Sequence, residues 1–108
     1  MESEDLLSLY ASLGEITHRM LEAARGGDWE LLCSLGPMHA DRFEALRAGD
    51  VSTVLSKKDD ERKLEMIMKI MADISESRSL TEPRRQQVGE LLRSAGVEQK
   101  LARAYRAH

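Results

Sequence analysis

Few residues in this chain could do chemistry, and they are scattered. Glu15-Ile16-Thr17-His18 sets a carboxylate and an imidazole three positions apart, on one face of a helix. That is one of the ligand pairs of a di-iron bundle, which also needs a second Glu-x-x-His and two further inward glutamates. No second motif exists, so neither a metal nor any other cofactor is expected. Cys33 is the single cysteine; it excludes an internal disulfide, and with no CxxC partner or neighbouring base it reads as a small apolar filler. His39 lies on an apolar stripe near Phe43, the position of a half-buried, hydrogen-bonded histidine. His108 is terminal and outside any pattern. Small all-helical mutases hold a dicarboxylate with arginines aimed into the bundle. Here Arg19, Arg42, Arg47 and Arg78 interrupt no apolar stripe, and they read as exposed or boundary residues. There is no GxxxxGK[ST] loop and no GxGxxG loop. The residue inventory therefore points to binding, not catalysis.

The elements that would position these side chains are all helical. Leu6, Leu9, Leu13, Ile16, Met20 and Ala23 recur at spacings of three and four, which predicts a helix over about 4–25 with Ser3 as its cap. Gly26-Gly27 stops it, because glycine enters the left-handed C-terminal conformation at no steric cost. Asp28 caps the next helix, about 28–48, whose stripe runs Trp29, Leu32, Leu35, His39, Phe43 and Leu46. Pro37 predicts a kink there or two shorter helices. Residues 51–60 read as a loop with Val51, Val54 and Leu55 tucked beneath it, and Asp59 or Asp60 as the following cap. A third helix runs over about 59–94 with a kink or break near Pro83, and a short C-terminal helix over about 97–106 follows Gly96. Alternating β-branched runs are missing. The expected fold is all-α: an antiparallel three-helix bundle with a small C-terminal helix. Residues 1–95 form the body and 96–108 a regulatory helix of the same domain. Leu13, Ile16, Ile67 and Ile74 are expected core residues, and Trp29 is expected to plug the bundle end behind the Asp28 cap.

Charge and length narrow the class further. At 108 residues the chain holds one domain with a modest core. Residues 1–77 carry 9 Lys/Arg against 16 Asp/Glu, whereas 78–108 carry 7 against 3. The basic C-terminal third reads as a solvated face or as a segment that docks on something acidic. Nucleic acid is not the expected partner, since no aromatics interleave with the basic residues and the net charge is −3. No apolar run approaches a membrane span of about 20 residues. The opening MESEDLLSLY is acidic where a secretory signal would be basic, so a cytoplasmic location is expected.

The third helix has more apolar surface than a bundle needs. In LEMIMKIMADI, residues 64–74, only Glu65, Lys69 and Asp73 are polar. The remainder covers an arc of about 240°, against a little over 100° for a helix packed on one side. Three of those residues are methionines, whose flexibility suits a surface that repacks against a partner. Either this helix is simply central to the bundle, or part of its surface awaits a partner.

Three segments carry a family resemblance: LEAARGGDWELL at 21–32, KIMADISES at 69–77 and QKLARAY at 99–105. In this order and spacing the sequence resembles the FliT-type flagellar export chaperones. That resemblance implies a non-enzymatic protein that binds the C-terminal segment of the filament cap protein FliD, keeps it unassembled and delivers it to the type III export apparatus. Some members also bind the regulator FlhDC. It further implies client binding through the second and third helices, a C-terminal helix able to cover that surface, and a role for Tyr105 in docking to export components. Phe43, Met66, Met68, Ile70 and Met71 are the residues of the excess apolar arc and its wall that such a client would meet. Rival readings stay open at this point: a regulator-binding adaptor using the same groove, a structural homodimer that buries the third helix against itself, and the mutase-type enzyme.

Overall fold

A computed structural model describes residues 2–106 of the chain, apart from the side chains of Val97, Glu98, Leu101, Tyr105 and Arg106. Three helices follow one another: α1 (Ser3–Arg25), α2 (Trp29–Ser52) and α3 (Lys57–Arg106). The all-α expectation holds. Two compact units divide the chain, Met1–Arg78 and Ser79–His108.

The turn between α1 and α2 is built by its sequence. The Gly27 N–H donates to the Ala24 carbonyl at 3.2 Å and the Asp28 N–H to the Ala23 carbonyl at 2.8 Å. This is the paired hydrogen bonding of a Schellman stop, and Gly27 supplies its left-handed residue at φ 69°. Asp28 then turns its carboxylate to accept from the Leu31 N–H at 3.1 Å, capping α2 as expected. Trp29, the first residue of α2, is half-buried, less enclosed than a full core plug.

Other boundaries differ from the expectations. Ser3 is not the cap of α1; Glu2 holds that position with no side-chain hydrogen bond, and Ser3 is already helical. The α2 helix does not close at Ala48 but runs to Ser52, where the hydroxyls of Ser52 and Thr53 both donate back to the Gly49 carbonyl. The loop is therefore short, and Val51 and Val54 are 91% and 92% exposed, not tucked in; only Leu55 packs on the core. Ser56, not Asp59 or Asp60, caps α3: its Oγ accepts from the Asp59 N–H at 3.2 Å. The two aspartates fall in the first turn, where the helix dipole favours them. Pro37 lies inside a continuous α2. It cannot donate to the carbonyl of Cys33, and both residues lie on the exposed side of the helix. Pro83 and Gly96 likewise lie inside α3, so the expected 97–106 segment is helical but continuous with what precedes it.

Within residues 1–78 the helices run up, down, up. Tyr10 bonds to Asp50 and Ser12 to Arg42, so α1 and α2 are antiparallel. Tyr10 faces Lys63, His18 faces Asp73 and Arg25 faces Glu76, so α1 and α3 are parallel. The buried apolar residues are mostly from α1 (Leu6, Tyr10, Leu13, Ile16 and Leu21 among them), with Leu35 and Leu46 from α2 and Ile70 from α3. Leu6, Tyr10, Leu13, Leu46 and Ile70 form one cluster, with Met66, Ile67 and Ile74 half-buried against it. Thr17 is 1% exposed, and its hydroxyl is satisfied by the Leu13 carbonyl at 2.7 Å. Unit 79–108 is described by itself: it is helical through Arg106, with Val88 39%, Leu91 70% and Leu92 68% exposed.

One polar clamp joins all three helices. The buried Tyr10 hydroxyl donates to Asp50 Oδ1 at 3.2 Å, and Lys63 Nζ reaches the same oxygen at 2.8 Å while lying 5.8 Å from the Tyr10 ring centroid. Burial, with the Asp50 carboxylate beside it, pushes the Tyr10 phenol above its ordinary value. The hydrogen bond to Asp50 raises Lys63 as well. Both groups thus hold their protons more tightly folded than unfolded. Their contribution is complete below the unfolded values of about 10 to 10.4 and is lost as pH rises through the higher folded values. Denaturant unfolding followed by circular dichroism should show stability level between about pH 8 and about pH 10 and falling above it. Tyr10→Phe should cost about 0.5–1.5 kcal/mol at neutral pH and flatten part of that alkaline slope.

Candidate partner-docking surface

The α3 helix divides its apolar arc between a covered and an uncovered part. Ile70 is 7% exposed at the centre of the covered part. Leu64, Met68 and Met71, spaced i, i+4 and i+7, form a strip that is 58%, 65% and 65% exposed. On α2, Phe43 is 45% exposed. Between the strip and Phe43 runs a cleft of about 320 Å3, walled by Phe43, Leu46 and His39 from α2 and by Ile67, Met71 and Ile74 from α3, with Tyr10, Leu13 and Ile70 at its floor.

The structure sorts the residues expected to meet a partner. Phe43 and Met71 stand together at the mouth of the cleft. Met68 lies on the adjoining strip. Ile70 is a floor residue held in the core cluster, so it shapes the cleft from below and offers little surface of its own. Met66 does not belong to this cleft: it is on the other side of α3, half-buried along the seam with α1. The side chain of Tyr105 lies outside the described residues. Leu64 completes the strip; its place in the apolar arc was visible in the sequence, but its exposure depends on which face α1 and α2 cover.

Polar candidates fall out differently from expectation. His39 is half-buried beside Phe43, but it is not hydrogen-bonded: its Nε2 is buried without a partner. Burial alone lowers its imidazole below the ordinary value. Cys33 is exposed and fills no core space, because it falls on the solvent side of α2 between Leu32 and Leu35. His18 is occupied by Asp73 at 3.4 Å and Glu22 at 3.7 Å. Among the described residues, no group of three His, Cys, Asp or Glu side chains is placed to hold a metal ion. Arg19, Arg42, Arg47 and Arg78 are all exposed, so they do not form the arginine-lined interior of a helical mutase. Among the described residues, no helix is long and apolar enough to cross a membrane.

The fold and the surface together define a small all-α protein with an exposed apolar strip beside an apolar cleft. A family model described as flagellar protein FliT matches residues 7–107. The chain belongs to the FliT family of flagellar proteins. Its fold is similar to that of a solved structure, the flagellar protein FliT from Bordetella bronchiseptica, with a TM-score of 0.69 and 24% sequence identity over 80% of this chain and 98% of that one. No curated protein matches the chain significantly.

The unpartnered His39 ring makes a prediction about acid. Its charged form is disfavoured in the fold, so its contribution to stability is complete above the unfolded imidazole value of about 6.5 and is lost as pH falls through the lower folded value. The stability difference between His39→Leu and the wild-type chain should grow in favour of the variant between pH 7 and pH 5, measured by urea unfolding. A difference independent of pH would show that the ring titrates as freely as in the unfolded chain.

Proposed function

We propose that this chain is a flagellar export chaperone that binds, without catalysis, an amphipathic helical segment at the C-terminal end of the filament cap protein FliD. In this reading it acts in the cytoplasm, keeps FliD unassembled and passes it to the export apparatus. What carries the reading is the exposed strip Leu64, Met68 and Met71 beside the Phe43 cleft, on a member of a flagellar family. Such a strip presents apolar side chains at helical spacing to the i, i+3, i+4 and i+7 positions of a docked helix. Fully burying one large apolar side chain is worth about 1.5–3 kcal/mol. Four side chains that are half to two-thirds exposed therefore hold roughly 3–7 kcal/mol of gross burial before the cost of association is subtracted. Flexible methionines at two of those positions allow the strip to adapt to the client.

Residues 96–108 are the regulatory part in this reading, with Lys100, Arg103 and Arg106 making them basic and Tyr105 as the contact to export components. FlhDC is a further partner through which the same chain would couple export to gene expression. A second copy of the chain is the rival occupant of the strip.

The test is co-purification and calorimetry with FliD from the same organism, full-length and lacking its C-terminal segment. Binding of the full-length protein alone is the expected result. Phe43→Ala with Met71→Ala should weaken it by about tenfold or more, as for two anchors at an interface centre, with helicity unchanged. Removing residues 96–108 should tighten binding. Failure of full-length FliD to bind, together with a tight dimer by light scattering, would replace the chaperone reading with the structural dimer.

A further inference from the structure

The other side of α3 carries a second groove. Two clefts of about 340 Å3 each lie along its seam with α1, and they share Ala11 and Met66. They adjoin at these residues, and the groove they make together runs from Glu4 to Arg19 on α1. At a rise of 1.5 Å per residue it is about 22 Å long, four turns of a docked helix. Its floor is apolar toward Arg19, made by Tyr10, Gly14, Met66 and Ile70, and mixed toward Arg62, where Leu7 lies beside Ser8.

Gly14 is the first observation that this groove is more than a packing seam. It lies in the interior of α1, where glycine costs about 0.8–1.0 kcal/mol relative to alanine. Packing does not require it: a Cβ there would meet Ile70 Cγ1 at 3.6 Å and Cδ1 at 3.8 Å, ordinary contact distances. What the missing side chain provides is an open floor at the middle of the seam.

Charge is the second observation. Arg19 and Lys69 flank the groove at one end and Arg62 at the other, and none of the three takes part in an ion pair among the described residues. Glu4 and Glu15 are the acidic members of the rim. His18 is engaged with Glu22 and Asp73. The rim is thus net positive, whereas residues 1–78 as a whole carry 10 Lys/Arg against 16 Asp/Glu. An apolar floor between free cations, on an otherwise acidic body, suits a ligand with an apolar stripe and carboxylates beside it.

We propose that the α1–α3 groove docks an acidic amphipathic helix of a partner protein, at a site separate from the Phe43 cleft. A second copy of this chain offers two exposed apolar stretches. Val88, Leu91 and Leu92 are flanked by Arg84, Arg85 and Arg93 and do not fit that description. The other is the Leu64, Met68 and Met71 strip, whose seating in this groove would make the free chain self-associate in light scattering and overturn the proposal. Because the two grooves flank α3 on opposite sides, the chain can hold two partners at once, as an adaptor does.

Two synthetic 18-residue helical peptides with the same leucine and alanine stripe, one flanked by glutamates and one by lysines, test this on the full chain by amide NMR titration. The glutamate peptide should bind and shift the amides of Ala11, Gly14, Met66 and Lys69 while leaving those of Phe43 and Leu46 in place. Arg19→Glu with Lys69→Glu, both at exposed positions, should weaken the glutamate peptide about tenfold and exchange the preference toward the lysine peptide. Gly14→Leu should block both peptides without changing the affinity for the FliD segment. Equal binding of the two peptides, shifts confined to the Phe43 cleft, or no binding of either would overturn the proposal. The FliD measurement on the same samples reports separately on the chaperone reading.

Discussion

Ile70 is the point on which the body depends. It is the one fully buried apolar residue that α3 contributes among those described, and it meets Leu6, Tyr10 and Leu13 from α1 and Leu46 from α2 in a single cluster. A third helix laid on a two-helix hairpin can bury only the arc that faces the hairpin, a little over 100°. Met66 on one flank and Ile67 and Ile74 on the other complete that arc as half-buried contacts. Everything apolar beyond it is left uncovered. The excess hydrophobicity of residues 64–74 is therefore a geometric remainder: two helices cannot cover what α3 offers, and the remainder appears as the strip and cleft on the α2 side.

Polar contacts hold that geometry in register without adding much stability. Packing apolar side chains fixes that helices associate, but it only loosely fixes how far they slide. The Tyr10, Asp50 and Lys63 clamp penalises sliding at one end, because displacement would leave a buried phenol without its acceptor. At the other end Arg25 bridges Glu76 from α3 and Glu22 from its own helix. That pair is exposed, so its contribution is one of alignment, not energy. It sits one residue before the Gly26 and Gly27 stop, where α1 must end for α2 to return.

How much of this was legible in the sequence depended on range. The hairpin from α1 to α2 was legible because each of its devices is local: a glycine pair, an aspartate three residues before the amide it caps, and periodic leucines. The covered side of α3 was legible as an arc but not as a direction, since which 100° faces inward is decided by α1 and α2 together. Periodicity alone therefore places Ile70 and Met66 in the same arc as Met68 and Met71, although Ile70 is core and Met66 faces the other seam. Ser56 caps α3 ahead of the two aspartates, and since serine and aspartate cap equally well, residue type alone does not choose between them. Neither proline breaks its helix: Pro37 lies within a continuous α2 and Pro83 within a continuous α3. The groove between α1 and α3 was not legible at all, because it exists only through the parallel pairing of two helices some fifty residues apart in sequence.

The distribution of buried residues connects stability to binding. Among the described apolar residues that are buried, eight come from α1, two from α2 and one from α3. A core so dependent on one helix leaves the other two only partly anchored, and small domains are marginal even with balanced cores. A ligand that covers α2 and α3 together binds the folded body and not the unfolded chain, so it raises stability by mass action. In the proposed reading, a partner seated in the cleft would supply the contacts to Met68 and Met71 that the three-helix arrangement leaves unmade. A fully covered α3 would give a more stable protein with nothing left to bind, so in this fold the uncovered arc and the modest core are two consequences of one arrangement.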